Sequence, residues 1–318
     1  MRLVCCTLSS SILTLPSSNC GCFERDSYRL NLWRNKKMAS EAEAAAAAVA
    51  SPPLCASTDA KSFLELISSK FEWGDLSDDI VMDIGCGNPK IKFCDLLLGL
   101  FPKVKKVIAI DKKSHLIAYI KCGKKDPKID FEYGDIEDRS TLVNWEGKIS
   151  KVVSSHCFHQ LKDHELAFKN VYNLLKPGGE AALLFCLQSG YVGWHVDLVN
   201  DPKWNRYYNG NSPEIPLTQF TNPTSSFYKN LAEEIGFKIV SCEKDRIGVP
   251  FESDEAWKGA IFKLALSSFK IPDELKEEFK KYLYETFMKY NCRTDNDRPC
   301  QVSYFLTVLL RKPEDSAE

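Results

Sequence analysis

Val81-Met82-Asp83-Ile84-Gly85-Cys86-Gly87-Asn88 is an apolar run that delivers one acid and then two closely spaced glycines. Lacking a Cβ, a glycine lets the chain turn sharply and brings backbone N–H groups close to a ligand. Helical spacing of apolar residues resumes over Lys90–Leu100, so the stretch reads as strand, turn, helix. The acid two residues before the first glycine narrows the ligand. A carboxylate there repels a pyrophosphate but accepts from an ammonium and tolerates a neighbouring cation. A buried turn capped by Asp83 is the alternative reading.

Outward from this turn the chain alternates. Apolar strands are predicted at 79–84, 104–110, 129–134, 148–156 and 180–187, with helices at 62–73, 90–100, 114–121 and 163–175 between them. Pro177-Gly178-Gly179 stops the last of these helices. Helical spacers of this length imply parallel crossovers, hence an α/β fold with a doubly wound, mostly parallel, seven-stranded sheet. A helix over 225–235 and strands over 237–245 and 301–310 complete the seven. Residues 188–222, rich in aromatics, proline and glycine with no clear period, read as a cap insertion, and about 248–298, helical over 253–290, as a second. The domain is expected over 59–318, preceded by a disordered leader over 1–58 whose first 16 residues weakly resemble a signal peptide.

Composition excludes several classes. The 318 residues are 44% hydrophobic and 27% charged with a net charge of −1, so no global basic field attracts nucleic acid. No run is long and apolar enough to span a membrane. The 13 cysteines include Cys86, Cys94, Cys157, Cys186 and Cys242 in apolar or glycine-rich segments, where thiols behave as small hydrophobes. No zinc-ligand spacing is evident in the domain, so no metal is expected, and reduced thiols point to the cytoplasm.

Further acids follow the next two strands. Asp111, with Lys112, ends the second strand 24 residues after Gly87, where a carboxylate accepts from both hydroxyls of a ribose. Capping the helix that follows is its other reading. Asp135 after the third strand is placed to accept from an adenine amino group, with Ile136 over the ring, although Gly-Asp is also a common turn. Asp83, Gly85, Cys86, Gly87, Asp111, Lys112, Asp135 and Ile136 together fit S-adenosylmethionine (SAM), a cation carrying an amino acid, a ribose and an adenine. The fourth strand ends in Ser155-His156-Cys157-Phe158-His159-Gln160, where Ser155 could touch the cofactor and His159 and Gln160 the acceptor. A lone imidazole is as readily part of a core.

These motifs, with Asn170–Glu180 (NVYNLLKPGGE), resemble class I SAM-dependent methyltransferases, and more narrowly arthropod juvenile hormone acid O-methyltransferases. Cys157-Phe158-His159, Pro202-Lys203-Trp204 and Phe269–Phe279 carry the narrower likeness, which spans about residues 59–310. The resemblance implies esterification of an isoprenoid or fatty carboxylic acid, a small-molecule acceptor. Trp194, Trp204, Tyr207 and Trp257, with Phe251, could line its apolar pocket, or simply form core. Two departures stand out. Pro89 replaces a usual third glycine, and Ala56 and Gln160 occupy the positions where the family pairs Gln with Trp on the acceptor carboxylate. Methylation of an amine or hydroxyl with His159 as base, or a scaffold without turnover, are the competing readings; a nicotinamide oxidoreductase fits Asp83 poorly. Oligomeric state leaves no trace in the sequence.

Overall fold

The computed structural model describes residues 56–87, 93–121, 126–210, 218–221 and 223–315. The leader expected over 1–58 falls almost wholly outside them, as does Pro89. Helix α1, Ala56–Phe71, buries Ala60, Phe63, Leu64, Ile67 and Phe71 along one stripe. Strand β1 (Ile80–Ile84), helix α2 (Phe93–Leu100), strand β2 (Lys106–Asp111), helix α3 (Ser114–Lys121) and strand β3 (Ile129–Tyr133) follow. Strand β4 (Ile149–Ser155), helix α4 (His164–Leu174) and strand β5 (Leu175–Ser189) complete the parallel part. Asp163 caps α4 by accepting from Leu166 N at 2.8 Å.

The second half is helix α5 (Gly190–Asn200), helix α6 (Ser225–Ile235), strand β6 (Lys238–Pro250), helix α7 (Asp254–Leu266), helix α8 (Lys276–Tyr290), the two-residue strand β7 (Cys292–Arg293) and strand β8 (Pro299–Arg311). Sheet order is β3-β2-β1-β4-β5-β8-β6, with β7 hydrogen-bonded to β8. Pairs from β3 through β5 are parallel, and β8 runs antiparallel to both β5 and β6. This is the doubly wound sheet expected, with seven long strands and one short addition. Alternate residues feed opposite cores: Met82, Ile108 and Val152 face one, Val81, Val107 and Val153 the other. The chain works outward from β1 to β3 and then returns to β4 on the other side of β1. That reversal opens a crevice at the carboxyl ends of β1 and β4.

Three elements differ from the sequence reading. Strand β5 starts at Leu175 and runs through Pro177-Gly178-Gly179, absorbing them in a register shift between Ile149 and Lys151 of β4; a bulge tolerates a residue that cannot donate. The 253–290 segment is two helices, parted by a 3₁₀ turn after Pro272. The aperiodic 188–222 stretch contains α5, whose Gly190 and Gly193 hide its helical pattern. Both are needed for contact, because a Cβ at Gly193 would lie 2.5 Å from the Tyr290 ring of α8.

At the opposite end of the sheet from the crevice, Glu180 is 4% exposed and meets three donors. Lys151 Nζ and Arg311 Nη2 lie at 2.6 Å, and Trp73 Nε1 donates at 2.8 Å. One carboxylate thus ties β4, β5, β8 and the segment after α1. Removing it strands the largely buried Lys151 charge. Glu180→Ala should therefore lower unfolding free energy in urea by about 3 kcal/mol, whereas Lys103→Ala, which breaks the exposed pair with Asp75, should change it by less than about 0.5 kcal/mol. Equal small effects would show that the buried cluster contributes nothing special.

Candidate active site

Strand β1 carries Asp83 into the protein at 2% exposure. Among the described residues its carboxylate receives only the Cys94 thiol of α2, at 3.2 Å. Burial, with Asp111 as a second negative charge nearby, pushes Asp83 up to about 7 despite that donor. The turn beyond it uses left-handed backbone: φ is 77° at Gly85 and 22° at Gly87. A Cβ on Gly85 would sit 2.5 Å from Cβ and Sγ of Cys157. Gly85 N and Cys86 N both donate to the Ile110 carbonyl, at 2.9 and 3.1 Å, and bind the turn to the end of β2.

Asp111 fastens the same turn from the other side. Its Oδ2 accepts from Gly87 N at 3.0 Å and its Oδ1 from Lys113 N at 2.8 Å. It therefore does cap the following backbone, yet each oxygen keeps a lone pair for another donor. Asp135 is similarly set by its own turn, accepting from Glu137 N at 3.0 Å, while its N–H donates to Thr141 Oγ1 at 2.9 Å. The three acids share one locale, and Cys157 reports it. Burial first, and then Asp111, Asp83 and Asp135, push this thiol up to about 12, with Lys112 opposing. Lys112 pairs with Glu137 at 3.6 Å. Ile136 departs from expectation: at 3% exposure it packs in the core with Ile84 and Ile110, which leaves little surface for a ligand.

The tip of β4 faces this turn. Ser154 Oγ donates to the Ile84 carbonyl at 2.8 Å, locking β4 to β1. Ser155 Oγ is buried with no hydrogen-bond partner among the described residues. His156 takes left-handed backbone (φ 59°), donates its N–H to Leu184 O at 2.8 Å and sets its ring edge-on to Phe305 at 5.4 Å. Burial, reinforced by His156 and His164, pushes His159 down to about 3. The exposed Gln160 places its Nε2 3.4 Å from His159 Nε2. With that amide donating, the imidazole proton sits on Nδ1, which is buried and unpartnered. His164 instead bonds the Tyr228 hydroxyl at 2.9 Å. Beside His156, a cavity of about 200 Å³ is lined by Ser62, Phe63 and Leu66 of α1 and by Leu184, Ile247 and Phe305 of the sheet, with Asp245 and Thr307 as its polar members.

The aromatic residues expected around an acceptor gather elsewhere. Trp194, Trp204 and Trp257 are 0, 2 and 4% exposed in a cluster formed by α5, α7 and α8. Trp194 Nε1 donates to Leu283 O at 3.1 Å, and the Trp204 and Phe279 rings lie 4.9 Å apart. Tyr207 and Phe251, partly buried, border the same cluster. These side chains are the cap's own core. Sequence reasoning did not bring Cys94 to Asp83 or Cys157 to Gly85, because both are contacts between elements that no local spacing records. Among the described residues no three His, Cys, Asp or Glu side chains are grouped to hold a metal.

Comparison with known proteins agrees with this geometry. Residues 82–183 match a methyltransferase domain family. The chain is 23% identical over 223 residues to the juvenile hormone acid O-methyltransferase of Drosophila melanogaster, covering 70% of this chain and 75% of that one. It is equally similar to that of Bombyx mori, 23% over 222 residues and 70% and 78% of the two chains. The solved structure of a candidate methyltransferase from Bacillus halodurans shares the fold, with 15% identity, a TM-score of 0.51 and coverage of 80% and 99%.

Asp83 makes stability depend on pH in a defined direction. Its value in the folded protein, about 7, lies above the ordinary 3.8, so the fold holds a proton that the unfolded chain releases. The stabilisation is complete below pH 4 and is lost as pH rises towards 7. In the absence of ligand, Asp83→Asn should therefore raise Tm more at pH 8 than at pH 4, by several degrees in a thermal scan. A difference independent of pH would mean that Asp83 is not held protonated.

Proposed function

We propose that this chain, a class I SAM-dependent methyltransferase, methylates the carboxylate of a small, largely apolar acid. The observation that carries the reading is a pair of buried imidazoles at the β4 tip, which burial keeps uncharged and makes weak as bases. His159 is neutral and stays neutral, held down to about 3 by burial, and His156 is held down to about 4. A hydroxyl acceptor needs a base as it is methylated, and an amine that arrives as an ammonium must first shed a proton. A carboxylate, with an ordinary pKa of about 4, reaches the site already ionised. The likeness to two juvenile hormone acid O-methyltransferases points the same way.

The residues present fit SAM. The Gly85–Gly87 turn holds left-handed backbone directly after Asp83, and Asp83 is a buried acid with no positive partner among the described residues. When bound, SAM supplies an electrophilic methyl group on a sulfonium. We assign Asp83 to the cationic amino-acid end, directly or through water. Asp111 accepts from the ribose hydroxyls with the lone pairs that Gly87 and Lys113 leave free, and Asp135 accepts from the adenine amino group. Gly85, Cys86 and Gly87 form the wall of the site, Lys112 covers its edge, and Ser155 lies at the junction of cofactor and acceptor.

His159 acts as a donor. Its Nδ1–H and the Ser155 hydroxyl are buried groups without a partner among the described residues, and burial without one is costly. An acceptor carboxylate would satisfy them. Gln160 holds the His159 tautomer and borders the same point, where it takes the place of the family's Trp. The apolar body of the acceptor fits the cavity beside His156, walled by Phe63, Leu66, Leu184 and Phe305. Burial there strips water from the carboxylate, and fixed alignment lowers the barrier to in-line attack. Asp245 in the cavity wall supports a second reading, a cationic amine as acceptor.

Purified protein with labelled SAM, tested against farnesoic acid, straight-chain fatty acids and small amines, distinguishes the two. Carboxylate turnover at saturating SAM should be flat between pH 6 and 8, and methylation of amines alone would overturn the proposal. Asp111→Ala should weaken SAM binding by about 1–3 kcal/mol in calorimetry. His159→Ala should cut turnover at least tenfold with SAM affinity unchanged; full turnover would remove it from the site.

A further inference from the structure

Away from the crevice, two cysteines face each other across the sheet. Cys292 of β7 and Cys300 of β8 are directly paired residues in an antiparallel register, and neither is in a disulfide. Directly opposite positions hold their Cβ atoms about 4.5–5.5 Å apart, so a small approach of the two-residue strand β7 towards β8 brings them within the span of a disulfide. The thiols already interact, Cys300 sharing a hydrogen bond with Cys292. Their surroundings differ in a useful way. Cys292 is partly exposed, and Arg246 Nη2 of β6 donates to its sulfur at 3.2 Å. Cys300 is 4% exposed and wedged against β6, its sulfur 2.9 Å from where a Gly248 Cβ would be. Burial and the adjacent Cys292 push the Cys300 thiol up.

We propose that Cys292 and Cys300 form a reversible redox site, in which peroxide attacks at Cys292 and Cys300 resolves the product to a cross-strand disulfide. The guanidinium of Arg246, whose Nη2 lies 3.2 Å from the Cys292 sulfur, is placed beside the attacking atom. That sulfur attacks one oxygen of hydrogen peroxide, forming an S–O bond as the O–O bond breaks and hydroxide leaves. The Cys300 sulfur then attacks the sulfenic sulfur. An S–S bond forms, the S–O bond breaks, and the departing hydroxide takes the Cys300 proton as water. Two thiols lose two electrons and peroxide gains them. A dithiol reductant reverses the step by exchange.

Position gives the bond a consequence. Asn291 joins α8 directly to β7, its side chain accepting from Val302 N of β8 at 2.9 Å and donating to Phe287 O of α8 at 2.9 Å. A disulfide here replaces a hydrogen-bonded joint between cap and sheet with a covalent one. It uses no residue of the cofactor site, so its test is independent of the methyl-transfer reading.

The test treats the folded full-length protein with a small excess of hydrogen peroxide, blocks remaining thiols, and digests with trypsin. Cleavage after Lys289, Arg293 and Arg311 separates the two cysteines into different peptides. The expected product is one linked pair, 2 Da lighter than the sum of its reduced peptides and abolished by dithiothreitol. Cys300→Ser should instead leave Cys292 as a sulfenic acid trapped by dimedone. Arg246→Gln should slow alkylation of Cys292 by iodoacetamide at least threefold in the native protein. Because Cys300 is buried, Cys292→Ser, at a partly exposed position, serves as the second variant and should also abolish the linked pair. Absence of the linked pair in oxidised wild-type protein, or linkage of Cys292 chiefly to another cysteine, would overturn the proposal.

Discussion

A carboxyl group buried at the tip of a central strand, and held protonated until something positive joins it, governs the architecture of this site. Asp83 sits where β1 must be apolar on both faces to lie inside a parallel sheet, so its carboxylate has little water and, among the described residues, only a thiol for company. Such a group is costly unless something positive comes to it. The surrounding features follow from that imbalance. The glycine turn exposes backbone beside the acid, Asp111 braces the turn, and Cys157 packs where a side chain on Gly85 would otherwise stand. The local fold is organised around an acid that it supplies with no cation among the described residues, as suits a cleft for a cationic cofactor.

The β4 tip shows the complementary strategy. Three imidazoles lie within one loop and the first turn of α4, and burial holds each of them below the ordinary histidine value. Chemistry that needs a proton acceptor is poorly served there, while chemistry that needs neutral donors in a dry setting is well served.

Much of this was legible in the sequence because its signals are local. Burial on both faces of β1, β2 and β4 follows from continuous apolar runs, and the glycine spacing after Asp83 marks the turn before any coordinate is known. The acids at 111 and 135 could be assigned because strands of a parallel sheet end on one side. What escaped were features made by contact at a distance. Helix α5 was hidden because its two glycines, poor helix formers, are there to admit Tyr290. The aromatic residues of the two insertions carry the same sequence signature whether they line a pocket or fill a core, and only the packing of α5 against α8 decided for the core. Ile136 was read as facing a ligand because it follows Asp135, yet the turn that begins there sends its side chain into the core.

Strand order also bears on how the polypeptide reaches its native state. β8 occupies the space between β5 and β6, although residues 299–311 are synthesised after every other strand. Until they leave the ribosome, β5 and β6 each present an open row of amides and carbonyls, the kind of surface that recruits foreign strands. Those two strands must also be held about two strand spacings apart, to admit a late arrival, by contacts other than sheet hydrogen bonds. The helical cap, made of one piece that follows β5 and a second that lies between β6 and β7, has its own aromatic core. An early, independently condensed cap would carry the final strand to the gap and shorten the interval in which a nascent chain is vulnerable to aggregation.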